Sequence, residues 1–229
     1  MTGPGGTSSR ARVLGRVRRA LSDDRTAPGT AGLETAVART YLRVHGQRTA
    51  AERVALLAEH LADYRARVHH ADGAGLPAVI AGLLAERGAR SVAVPDGLPA
   101  DWLSATDARR VPDAPDLSAG ALDSVDSVVT GCALAIAETG TLVLDTGPGQ
   151  GRRRLTLVPD HHVCVVRVPE QVVDSLPQAM ELLSPLRPLT WISGPSATSD
   201  IELSRVEGVH GPRTLDVVLL AAGAPHDSG

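Results

Sequence analysis

The residues able to do chemistry fall in four short segments of the chain. Ala137-Glu138-Thr139-Gly140-Thr141 sets a carboxylate and two hydroxyls around a glycine at an expected helix-to-strand junction, where Gly permits a positive φ and a side chain can project at a sheet edge. Glu138 is the candidate general base or nucleophile there, with Thr139, Gly140 and Thr141 as candidate ligand contacts. Such a role needs burial or a neighbouring charge to tune the carboxyl, and a glutamate in this position more commonly serves as a cap or turn residue.

Pro159-Asp-His-His-Val163 places two histidines just before an apolar strand. Neighbouring strand residues point to opposite faces, so His161 and His162 cannot both hold one ion unless the chain turns, and one of them is expected to be exposed. With His210 and Glu138 a metal site can be imagined, but no HxH or HxxxH spacing supports it, and no metal ligand is assigned.

Ser193-Gly-Pro-Ser-Ala-Thr-Ser-Asp-Ile-Glu202 carries more information. It follows a strand, offers hydroxyls at Ser193, Ser196, Thr198 and Ser199, and reaches Asp200 at an expected helix start. Exposed N–H groups at a strand-to-helix turn cradle anions, which makes Gly194, Ser196, Thr198 and Asp200 candidate ligand contacts; the same hydroxyls could simply cap the helix. One cap does not require four hydroxyls in so short a stretch. Gly208-Val-His-Gly-Pro-Arg213 adds His210 and Arg213 beside a second Gly-Pro turn, and Arg213 is suited to face a carboxylate or phosphate in bidentate fashion. Since these segments fall at strand ends and turns, Glu138, His162, Ser196, Thr198 and His210 are expected to converge on one cleft outside the carboxyl ends of a sheet.

The elements that must position them can be read from periodicity. Arg10 to Leu21 shows Val13, Leu14, Val17 and Leu21 at helical spacing with Arg12, Arg16 and Arg19 off the stripe, a short amphipathic helix that ends in the linker-like 22–32. Thr49-Ala-Ala-Glu52 is a capping-box pattern opening a helix whose apolar period runs through Val54, Leu57, Leu61, Tyr64 and Val68. A second helix from Leu76 to Arg87 stops at Gly88, and Ser91–Val94 reads as a buried strand. Beyond it, strands are expected at 123–129, 141–145, 155–158, 163–168, 189–192 and 217–220. Helices are expected at 132–137, at 170–183 and from Ile201, with 146–151 a Gly-rich loop and 95–118 a surface excursion. Helix, Gly stop and short apolar strand in alternation is the grammar of a single three-layer α/β domain with a mostly parallel sheet over about 33–222, between an N-terminal segment 1–32 and a tail 223–229.

Composition narrows the function classes. The 229 residues are 43% apolar and 21% charged with a net charge of −3, the balance of a folded globular chain. All 23 basic residues are arginine and no lysine occurs, which rules out a Schiff-base or Walker-type lysine and dilutes any reading of Arg-rich stretches. Tyr41, Tyr64, Trp102 and Trp191 are the only aromatics, too few for a nucleic-acid stacking platform, and no partner nucleic acid is expected. Cys132 and Cys164 form no CxxC pair, so no iron–sulfur cluster or cysteine zinc site is expected in this chain; both thiols read as buried small apolar groups in a cytoplasmic protein. No run approaches the ~18 apolar residues of a membrane span, and no G-x-G-x-x-G marks a dinucleotide site.

Taken in order, Ala137-Glu-Thr-Gly-Thr-Leu-Val143, Leu155-Thr-Leu-Val-Pro-Asp-His-His-Val163, Ser193 to Glu202 and Gly208 to Arg213 resemble the lactate-utilisation protein C family, or LUD domain, closely over about 75–220. The resemblance implies a fold like that of ribose-5-phosphate isomerase, glucosamine-6-phosphate deaminase and the CoA transferases. It also implies a part in oxidising L-lactate to pyruvate beside two iron–sulfur partner proteins, which would carry the clusters. The family's Pro-x-x-His pattern falls on Pro159 and His162, leaving His161 as the additional histidine and His162 as a candidate catalytic residue beside Glu138. No catalytic mechanism carries over, and an accessory or assembly subunit with a small anionic ligand is the first expectation. Two others stand beside it: a free-standing enzyme on a sugar phosphate or CoA ester with Glu138 as base or nucleophile, and a small-ligand sensing module.

Overall fold

In a computed structural model, which describes residues 9–23, 42–198, 206–207 and 211–221, six short strands run parallel in one sheet. The chain divides into two units, Met1–Leu42 and Arg43–Gly229. The first contains helix α1 (Ser9–Asp23), which leaves Val13 and Val17 of its expected apolar stripe exposed. The linker residues 24–32, the tail 223–229 and residues 201–205, where the helix expected from Ile201 begins, lie outside the described residues, as do Asp200 and His210.

The second unit begins its regular structure at α2 (Ala50–Asp63). Thr49 and Glu52 close the capping box foreseen from their spacing, the Thr49 hydroxyl taking the Glu52 N–H and the Glu52 carboxylate taking the Thr49 N–H at 2.7 Å. The helix stops earlier than its apolar period suggested. Arg65 adopts φ 68°, and the Arg65 and Ala66 N–H groups bond back to Ala62 and Leu61, a Schellman ending in which an arginine does what glycine usually does. Val68 therefore belongs to strand β1 (Arg67–Ala71). The same ending closes α3 (Leu76–Glu86) at Gly88, as its sequence predicted, and β2 (Ser91–Val94) follows.

The region 95–118 is more than a surface excursion: a 3-10 turn at Ala100–Leu103 buries Trp102 and Leu103, and β3 (Arg109–Pro112) pairs parallel with β2. Helix α4 (Ala119–Asp123) is capped by Ser118 and leads into β4 (Ser127–Gly131). Residues 132–137, expected as a helix, instead form β5 (Leu134–Ile136), which turns through a 3-10 step and Gly140 into the antiparallel β6 (Thr141–Leu144). The expected strand at 155–158 is a 3-10 turn, Arg153–Thr156, where Arg152 and Arg154 are held by carbonyls of Ala114 and Pro115 and Leu155 is driven into the core.

Strand β7 (His161–Val168) is the centre of the sheet, and β8 (Val172–Val173) and α5 (Leu176–Leu182) replace the single helix expected over 170–183. After β9 (Thr190–Ile192), β10 (Ala197–Thr198) pairs antiparallel with β11 (Val206–Glu207), and β12 (Thr214–Ala221) is the last strand among the described residues.

The main sheet has the order β1-β12-β7-β4-β2-β3 and is parallel at every pairing, as the α/β grammar requires. One face is covered by α3 and the Trp102 turn through Leu76, Ile80, Leu83 and Leu84 against Val92, Val129, Val163 and Val218. The other is covered by Leu57 and Leu61 of α2 together with a second sheet, β8-β5-β6-β9, that the sequence did not announce. Without phenylalanine, this core is built mainly from aliphatic side chains beside Trp102, and each Val, Leu or Ile contributes roughly 1.5–3 kcal/mol when fully buried.

Candidate functional site

Strand alternation sends the rings of His161 and His162 to opposite faces of the sheet, and both are buried. The expectation that one would be exposed fails because β7 is the inner strand between β4 and β12, covered on both sides.

His161 is far from incidental. Its Nε2–H donates to Asp216 Oδ2 at 2.8 Å, which fixes the tautomer, and in the neutral ring Nδ1 accepts from the Ser127 hydroxyl at 2.8 Å. The fully buried Asp216 also accepts from Arg67 at 2.5 Å and from His69 at 2.7 Å. Burial alone would raise its carboxyl pKa; these donors outweigh that and hold it well below the ordinary carboxylate range. Serine, histidine and aspartate stand here in hydrogen-bonded order, yet all three are shut off from solvent, so the row joins β4, β7, β12 and β1 rather than acting on a substrate.

His162 differs. Its Nε2 meets Thr130 Oγ1 at 2.8 Å, but Nδ1 is buried without a hydrogen-bond partner. Burial, and then the neighbouring His161, push its pKa down to about 3, so the ring is neutral at physiological pH. His162 lines a cavity of about 310 Å³ together with Leu215, the stretch Thr190–Ser196, Gly211–Pro212, and Arg153, Thr156 and Leu157. The cavity therefore lies at the amino ends of β7 and β12 and the carboxyl end of β9, not outside the carboxyl ends of the main sheet as expected.

Of the residues expected to converge, His162 and Ser196 share this cavity; of the other candidate contacts, Gly194 lines it too and Thr141 hydrogen-bonds the lining residue Ser193 at 2.8 Å and Thr139 in turn. Thr198 is placed by its backbone in β10. The Gly194–Thr198 stretch does not present a row of N–H groups: Ser196 N–H is spent on Pro212 C=O at 2.8 Å, and 197–198 enter a strand. Gly194 itself serves packing. Its φ is 79°, and a Cβ there would collide with the carbonyl oxygen of Tyr64. Gly140 likewise sits against His60 of α2, whose Nδ1 meets Ala137 C=O at 2.8 Å.

Glu138 is not among the cavity's lining residues. Its carboxylate is engaged by His45 at 2.8 Å and Arg48 at 3.1 Å, with Arg48 also reaching Asp174 at 3.4 Å. Burial raises the Glu138 pKa, but the His45 and Arg48 hydrogen bonds prevail and leave it below the usual value, the opposite of what a general base near neutrality needs. Arg213 faces the exposed Asp160 at 3.5 Å instead of the cavity. Arg153, by contrast, lines the cavity without a motif to mark it. It sits in an Arg152-Arg153-Arg154 run that the chain's arginine bias made easy to discount, yet its two neighbours bind carbonyls while Arg153 has no side-chain partner among the described residues.

At the carboxyl ends of β2 and β3 a second cleft, of about 540 Å³, is framed by the Gly-rich loop through Thr146, Gly147 and Gly151 and by Asp96, Asp113 and Arg152. Across it Arg152 clamps Asp113, and the backbone carbonyl of Asp96 accepts from Gly149 N–H at 2.7 Å. Among the described residues no group of three or more His, Cys, Asp or Glu is arranged to hold a metal ion. Cys132 and Cys164 are both buried.

Residues 54–220 match the model of the LUD domain. The chain belongs to the LUD domain family. A lactate utilization protein C from Deinococcus radiodurans is 50% identical over 167 residues, which span 71% of this chain and 76% of that protein. Its namesake from Bacillus pumilus is 39% identical over 85 residues, 34% of this chain and 35% of its own length. The crystal structure of a DUF162 family protein from Deinococcus radiodurans superposes with a TM-score of 0.65 at 42% identity, covering 76% of this chain and 99% of that one. The LUD match starts inside α2 and takes in both sheets, so Glu138, His162, Ser196 and Arg153 all lie within the family's domain, whereas α1, His45 and Arg48 precede it.

Proposed function

We propose that this chain is a subunit of an iron–sulfur system that oxidises L-lactate to pyruvate, and that it acts there as an accessory or assembly component beside two iron–sulfur proteins. The observation that carries this reading is the 50% identity to a protein named lactate utilization protein C across most of both chains. Oxidation of a 2-hydroxy acid to a 2-oxo acid releases two electrons and two protons, and the electrons need a carrier. Two buried cysteines are too few for a four-thiolate cluster, so the carriers are assigned to the partners. The Glu138-centred alternative, a free-standing enzyme on a sugar phosphate or CoA ester, loses support because that carboxylate is engaged by His45 and Arg48 and its pKa is held below the usual value.

Affinity purification of the tagged full chain from cells grown on L-lactate tests the subunit reading. Recovery of two further proteins bearing iron and acid-labile sulfide is expected. Recovery of the chain alone under gentle conditions, with the partners present in the lysate, contradicts it.

A further inference from the structure

A cavity lined by a buried histidine whose ring keeps one unpaired nitrogen invites a ligand that satisfies that atom. His162 is fully buried, its Nε2 is occupied by Thr130, and its Nδ1 is the one nitrogen left without a partner. Leaving such a group desolvated and unpaired is costly, and native proteins keep few of them, often where a ligand completes the set. The wall also holds Arg153, whose guanidinium is exposed and has no carboxylate partner among the described residues, and the hydroxyls of Thr156, Ser193 and Ser196.

We infer that this cavity takes a small 2-hydroxy or 2-oxo monocarboxylate, with the carboxylate on Arg153 and the 2-oxygen on Nδ1 of His162. The choice of acid rests on the lactate-utilisation reading; the donor set rests on the residues that line the cavity and on the unpaired Nδ1. A planar guanidinium matches a carboxylate in two parallel hydrogen bonds. The 2-oxygen completes the imidazole in either tautomer if it is a hydroxyl, and as an acceptor of Nδ1–H if it is a keto group, with the Thr130 hydroxyl then donating to Nε2. The volume of about 310 Å³ lies at the lower end of ligand cavities, with room for a small acid and ordered water. A histidine that stays neutral through the physiological range adds no charge of its own, so Arg153, the one cationic side chain lining the cavity among the described residues, suits a monoanion better than a phosphate dianion.

The test is a titration of the purified full chain with L-lactate, pyruvate, propionate and inorganic phosphate, followed by two-dimensional amide NMR. Saturable shifts confined to the neighbourhoods of 153–157, 162 and 193–196 are expected for L-lactate or pyruvate. Propionate, which has the carboxylate without the 2-oxygen, should bind about tenfold more weakly or less, and Arg153→Gln should weaken the acids by about tenfold or more, the loss expected for a charge-assisted hydrogen bond. Arg153 is exposed, so that variant is expected to fold; His162→Gln, which keeps one amide group for Thr130, should abolish the preference for the 2-oxygen acids. If His162→Gln does not fold, the lactate-to-propionate ratio in the parent carries the same information. No saturable shift at ~10 mM acid, where a Kd of order 1 mM would fill the site, overturns the inference. Equal binding of propionate, or tighter binding of phosphate, overturns the assigned class. A growth defect on L-lactate without acid binding would remove this site and leave the physiological reading, and binding without a growth defect would do the reverse.

Discussion

His161 and His162 are adjacent in β7 and do different work because the strand turns their rings into different layers. The His161 ring is closed on both sides, by Ser127 and Asp216, whereas His162, which lines a cavity, has one nitrogen on Thr130 and the other unpaired. Structure and ligand binding are thus separated by a single step along the chain.

That separation predicts a pH dependence of stability. His162 has its folded pKa lowered to about 3 from the ordinary value of 6.5, so the unfolded chain binds a proton that the folded one refuses between those limits. Its contribution is intact above pH 6.5 and is lost as the pH falls, at up to ~1.4 kcal/mol per pH unit. Urea unfolding at pH 7, 6 and 5 should show the slope, and His162→Gln should flatten it by about that amount. An unchanged slope in the variant would place the titration elsewhere.

Asp216 acts in the same direction at lower pH. Its carboxyl is held below its ordinary range, so its contribution is present above the unfolded value near 4 and fades as the pH falls through and below it. Asp216→Asn leaves Arg67 and two histidines around a neutral amide, and should cost about 3 kcal/mol or more at pH 7. A thermal midpoint within a degree of the parent would mean the row contributes little.

Gly194→Ala should destabilise the fold by more than ~1 kcal/mol, since it adds a methyl at φ 79° against the Tyr64 carbonyl. Gly82→Ala, where nothing lies within 4 Å of the new atom, serves as the control and should be neutral or mildly stabilising. Comparable losses in both would show that neither steric contact nor φ decides the outcome.

Glu138→Gln tests the placement of that carboxylate. It weakens the ties to His45 and Arg48, so hydrogen exchange over residues 43–49 should speed up while acid binding at the His162 cavity stays unchanged. Loss of binding with unaltered exchange would put Glu138 back among the ligand contacts.

Much of this fold was legible before any coordinates because its signals are local. The capping box at Thr49, the glycine stop at Gly88 and the apolar runs of β2, β7 and β12 each state their own structure. What stayed hidden depends on contacts distant in sequence. Residues 134–136 are apolar on both faces and too short to show a period, and only pairing with β6 and β8 makes them a strand. Arg65 ends α2 in a conformation that its residue type does not advertise. At the site, His162, Gly194 and Ser196 were found by motif, but Arg153 could not be distinguished from Arg152 and Arg154 until their carbonyl partners were seen. The triad-like order of Ser127, His161 and Asp216 joins residues up to 89 positions apart and has no sequence signature at all.

The central claim, a role in lactate oxidation, is tested most directly by growth of a strain lacking this gene, in a background without another lactate route, on L-lactate and on pyruvate as sole carbon sources. Growth should fail or slow severely on L-lactate, remain normal on pyruvate, and return with a plasmid-borne copy. Normal growth on both carbon sources would contradict the claim.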